Sequence, residues 1–110
     1  MYKINQARTF VRDVTIIFPG QDGKDTKGTI KATFNYLTNT EYDEAVALPD
    51  VDCFRKVVAG ISGIGDANGQ ELPPDQALEQ AANDPCLVSA TLAEYVDCMK
   101  NKNFRRPRTR

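Results

Sequence analysis

Three cysteines, two serines and a scatter of carboxylates are the residues of this chain that could carry covalent or metal chemistry. A cysteine or serine nucleophile needs a neighbouring base, most often an imidazole, and the sequence contains no histidine. Cys53, Cys86 and Cys98 are odd in number and form no C-x-x-C pair. They are expected to be buried thiols of a reducing compartment, with neither a disulfide framework nor a zinc site. Ser62 and Ser89 have no histidine to deprotonate them. Asp22 and Asp25, with Asp66 and Asn68, lack the regular oxygen spacing and closing glutamate of a calcium loop, so they read as solvated turn residues. The stretch around Gly23-Lys24 fails as a phosphate loop, because its required first glycine falls on Phe18 and Lys24 is followed by Asp25. Gly60, Gly63 and Gly65 carry a dinucleotide fingerprint in reverse, without a parallel βαβ unit around it, and read as turn geometry. The expectation is a non-enzymatic protein with no catalytic residue, no cofactor and no metal ligand.

Charge supplies the other chemical signal. The formal net charge of −1 conceals a division, since residues 1–99 hold all fifteen acids but only eight bases, whereas residues 100–110 hold six bases and no acid. The end of the chain therefore reads as a flexible basic tail on an acidic body. Clustered arginines neutralise phosphates and Phe104 could stack on a base, so nucleic-acid binding through Phe104, Arg105 and Arg106 is the rival to a purely protein-binding role. A solvated end, or a contact with the acidic body of a neighbouring subunit, is the plainer reading.

The elements that must position such groups follow from patterning. A chain of 110 residues, 41% apolar and 26% charged, suits one folded domain over residues 1–99, with the tail at 100–110. No apolar run approaches the ~20 residues needed to cross a bilayer, and the polar amino terminus lacks the features of a secretory signal. A protein that stays where it is made is expected.

Val14, Ile16 and Phe18 share one face at a period of two, predicting a strand over residues 11–18. Ile30, Ala32, Phe34 and Tyr36 do the same over residues 28–37. Together they predict an antiparallel hairpin with a loop of about nine residues, longer than the usual two to five. Thr38, Asn39 or Thr40 can cap a short helix that ends before Pro49. Residues 50–59 read as a short helix running into a strand. The Asn68-Gly69 step predicts a tight turn, and Pro73-Pro74 opens a helix stopping near Asn83. Asp84-Pro85 starts the clearest helix, residues 85–100, with Val88, Leu92, Tyr95, Val96 and Met99 on its inner stripe. The fold expected is α+β: a small antiparallel sheet, begun by the N-terminal hairpin, packed with two to four helices.

The order of these features resembles the tail assembly chaperones of long-tailed bacteriophages. The segments that carry the likeness are Lys31-Ala32-Thr33-Phe34 and residues 54–73, with Val57-Val58-Ala59-Gly60, the run Gly63-Ile64-Gly65-Asp66-Ala67-Asn68-Gly69 and the step Leu72-Pro73. Ala77-Leu78 and residues 87–95 follow, so most of residues 10–100 is covered. Ile61 stands where many members have tryptophan, and Pro74 where many have an aromatic residue. The resemblance implies a protein that binds the tape-measure protein, keeps it soluble, helps recruit the tail tube protein and self-associates. It implies residence in the cytoplasm of a bacterial host carrying the phage or prophage, absence from the mature virion and no membrane. A holdase for an amphipathic helix needs a grooved apolar surface and many weak contacts. Phe10, Leu37, Tyr42, Leu48 and Phe54 are the candidate exposed apolar contacts, beside Phe104, Arg105 and Arg106 of the tail. Ordinary core packing is the plainer reading of the first five.

Overall fold

Side-chain alternation builds the sheet. In the computed structural model, which describes residues 8–65 and 69–101, β1 (Thr9–Pro19) and β2 (Asp25–Asn35) pair antiparallel without a break in register, Phe10 opposite Phe34 and Val14 opposite Ile30. Val14, Ile16, Ile30, Ala32 and Phe34 are buried on one face, while Val11, Asp13, Thr15, Ile17, Thr29 and Lys31 stand exposed on the other. β3 (Val58–Ser62) joins the far side of β2, also antiparallel, with an irregularity between Thr33 and Phe34. The strand order β1-β2-β3 leaves β1 and β3 as edges.

The hairpin is longer and its loop shorter than the polar composition of the connector implies. Only residues 20–24 lie between the strands. Gly23 takes φ +83°, its N–H donates to Gly20 O at 3.0 Å, and the Lys24 N–H donates to Asp22 Oδ1 at 3.0 Å, so the turn closes locally. Asp25, Thr26 and Lys27 look like loop residues in sequence but occupy solvent-facing or strand-end positions where polar side chains fit.

Helices cover one face of the sheet. α1 (Asn39–Val46) begins in a capping box: the Glu41 N–H donates to Thr38 Oγ1 at 3.3 Å and the Thr38 N–H donates to Glu41 Oε1 at 3.0 Å. The donation from the Thr38 backbone, then its hydroxyl, holds the Glu41 carboxyl below its usual range. α2 (Asp50–Val57) runs directly into β3, as its sequence suggests, and buries Cys53, Phe54 and Val57. α3 (Pro74–Ala82) and α4 (Pro85–Val96) both carry proline in the first turn, and Asp84 Oδ1 accepts from the Leu87 N–H at 3.1 Å to cap α4. Beyond Val96 the helix widens into a π-helical turn, Asp97–Asn101.

Tyr95 of α4 is the hub of the core. Its ring lies 5.1 Å from Phe34, 6.1 Å from Tyr42 and 6.3 Å from Phe10, centroid to centroid, and its hydroxyl donates to Asn35 O at 2.9 Å. One turn before it, Thr91 is fully buried and its Oγ1 has no hydrogen-bond partner among the described residues. Burying an unpaired hydroxyl costs roughly 1–3 kcal/mol. Thr91→Val keeps the shape and removes that cost, so an increase in stability of about 1 kcal/mol is expected in urea unfolding, whereas a loss of stability would show that the hydroxyl is satisfied.

Candidate functional site

The glycine-rich segment after β3 and the corner between α3 and α4 enclose an open groove of about 410 Å³. Ile64, Leu72, Ala81 and Leu87 give it an apolar floor, and Gly65, Gln80 and Asp84 complete its lining. Its walls are tied down. The Leu72 N–H donates to Ile64 O at 2.9 Å, Gly65 and Glu71 form an antiparallel bridge, and Glu71 Oε2 accepts from the Gly63 N–H at 3.1 Å. Gly69, at φ +82°, lets the chain turn back toward Glu71. The other wall is the α3–α4 corner, where the Asp84 N–H donates to Ala81 O at 3.1 Å while its carboxylate caps α4. A preformed apolar concavity with a polar rim accepts a side-chain anchor from another protein without prior rearrangement.

A second apolar cluster lies at the α1–α2 corner. Val46, Leu48 and Val51 are exposed there among Asp43, Glu44, Asp50 and Asp52. On β1, Val11 and Ile17 are exposed on the face without helices, and Phe18 is exposed at the strand end on the other face.

Searched against protein-family models, curated proteins and solved structures, the chain matches none.

The residues singled out in the sequence divide by burial. Phe54 is fully buried in the core and Tyr42 is buried against Tyr95, so both follow the plainer reading of core packing and neither is an exposed contact. Large aromatics on the inner face of short helices are drawn to the core by the area they remove from water. Phe10 and Leu37 are half-buried and packed against that core. Leu48 is exposed, against the plainer reading of core packing. Phe104, Arg105 and Arg106 lie outside the described residues. The groove residues Ile64, Leu72 and Leu87 went unselected, although Ile64 and Leu72 bracket the glycine-rich turn and form an apolar pair within a polar loop, a usable signal.

Of the three free cysteines Cys53 is buried, whereas Cys86 and Cys98 are half-buried, short of the full burial expected from the sequence. Burial first, then the charge of Asp50, pushes the Cys53 thiol up, so its sulfur stays protonated at neutral pH. Cys98 Sγ lies 3.5 Å from Glu94 Oε2, which also binds Arg12 at 2.9 Å. Among the described residues no three histidine, cysteine or acidic side chains gather as a metal site, and no helix is long and apolar enough to cross a membrane.

Proposed function

We propose that this chain is a tail assembly chaperone of a long-tailed phage or prophage, a non-enzymatic protein that binds the tape-measure protein and keeps it soluble during tail morphogenesis. It acts in the bacterial cytoplasm, works in several copies, helps recruit tail tube subunits and is left behind by the finished virion. The observation that carries the reading is where the resembling segments fall. Ile64, Gly65 and Leu72 of the glycine-rich turn and Leu-Pro step line the groove, with Leu87 opposite. The apolar floor suits the anchor residues of an amphipathic helix, and Asp84 at the groove and Glu71 beside it offer acceptors to basic side chains. The rival role, nucleic-acid binding, rests on the composition of residues 100–110.

The test is titration of helical fragments of the tape-measure protein from the same genome onto the chain and its variants. Ile64→Glu and Leu72→Glu, at half-buried loop positions, are expected to weaken binding at least about tenfold while leaving the circular dichroism spectrum unchanged. Folded variants that bind like the parent would remove the groove from the mechanism.

A further inference from the structure

The free edge of β1 has a defined hydrogen-bonding pattern. The Gly20 N–H donates to Lys24 O and the Tyr36 N–H donates to Arg8 O, one at each end of the hairpin. An antiparallel ladder alternates bonded and non-bonded pairs, and the register between these ends is unbroken. The even-numbered residues Phe10, Arg12, Val14, Ile16 and Phe18 therefore exchange their bonds with β2. Val11, Asp13, Thr15 and Ile17 turn their N–H and C=O groups outward, and among the described residues no strand receives them. Their side chains break the usual defence of an edge: Val11 is 57% exposed and Ile17 54%, on the sheet face that carries no helix.

We propose that β1 is a self-pairing edge, at which two copies join antiparallel about a twofold axis through Val14 and turn two three-stranded sheets into one of six strands. Outward groups must meet outward groups, so an allowed register is centred on a residue and never between two. Centring on Asp13 sets its carboxylate opposite that of the second copy. Centring on Thr15 sets Val11 opposite Pro19, which has no N–H to give. Centring on Val14 escapes both. Val11 meets Ile17 of the second copy, Asp13 meets Thr15, and on the helix side Phe10 meets Phe18. Each outward residue from Val11 to Ile17 then finds a full partner. Charge agrees with this register, because Asp13 is already held by Lys31 at 2.8 Å and faces a neutral hydroxyl across the axis. The exposed apolar pair Val11 and Ile17 is covered twice over, once on each side of the axis.

The paired ribbon is about 30 Å long at ~3.4 Å per residue, an interface at the low end of specific sizes, so association falls in the range of about 10 μM to 1 mM. β1 lies at the opposite edge of the sheet from β3, whose exit forms the groove. A client and a second copy therefore occupy separate surfaces, and this pairing stands or falls independently of the chaperone reading.

Sedimentation and amide hydrogen exchange, measured across that concentration range on the full chain, test it. Dimer formation is expected to slow exchange at Val11, Asp13, Thr15 and Ile17 at least about tenfold, with no change at Phe10, Arg12, Val14 and Ile16, which are bonded in the monomer. Ile17→Lys alters only an exposed side chain, and Thr15→Pro removes an N–H that β2 does not use; each is expected to weaken the dimer at least about tenfold. A chain that stays monomeric throughout, a dimer that survives both variants, or odd-numbered amides already protected at the lowest concentration would overturn the proposal.

Discussion

Tyr95→Ala is expected to cost about 3–5 kcal/mol, enough to unfold much of a domain whose total stability is ~5–15 kcal/mol. The ring touches Phe10, Phe34 and Tyr42, so truncation leaves a cavity where β1, β2, α1 and α4 meet. Tyr95→Phe separates packing from hydrogen bonding. It keeps the ring but leaves Asn35 O without its donor, at a cost of about 1–2 kcal/mol. Denaturant unfolding of the two variants, with unchanged dependence on denaturant for Tyr95→Phe, checks both values. The phenol also sets a pH dependence. Burial, the largest influence, holds its pKa above the ordinary value of 10.0. The unfolded chain therefore releases this proton first as pH rises, and stability present below pH ~10 declines above it. Tyr95→Phe is expected to flatten that alkaline decline, with Tyr42, raised by the same cause, supplying part of what remains.

Phe54→Ala and Leu48→Ala are expected to part company, though both residues are isolated large apolar side chains in the sequence. Phe54 is fully buried, and its loss is expected to cost about 3–5 kcal/mol. Leu48 is 39% exposed at the α1–α2 corner, and its loss is expected to stay within about 0.5 kcal/mol. Thermal unfolding of the pair reads this out directly. A stable Phe54→Ala protein that no longer binds a client would return Phe54 to the surface and contradict the packing described above.

These two residues also show where sequence reading reaches its limit. Long patterns were legible: the alternation of Ile30, Ala32 and Phe34, the caps at Thr38 and Asp84, the prolines opening α3 and α4, and the passage from α2 into β3 all appear where local chemistry places them. Such signals depend only on neighbours along the chain. Burial of Tyr42 and Phe54 depends on the turn between two eight-residue helices, too short for periodicity to fix which face is inward. The hairpin ends were misjudged for a related reason, since Asp25, Thr26 and Lys27 are polar and composition alone cannot separate a solvated strand end from a loop. The groove is less legible still, because Ile64 and Leu72 meet Ala81 and Leu87 only through tertiary packing. The apolar edge of β1 could have been noticed, as Val11 and Ile17 interrupt the polar face that Asp13 and Thr15 otherwise keep.

The most direct measurement of the proposed function is co-expression of this chain with the tape-measure protein of the same genome, followed by pull-down and light scattering. A soluble complex holding several copies of the chain on each client is the expected result. A client that remains insoluble, with no complex recovered, would contradict the chaperone role, and salt-sensitive binding to nucleic acid in its place would shift the function to the basic tail.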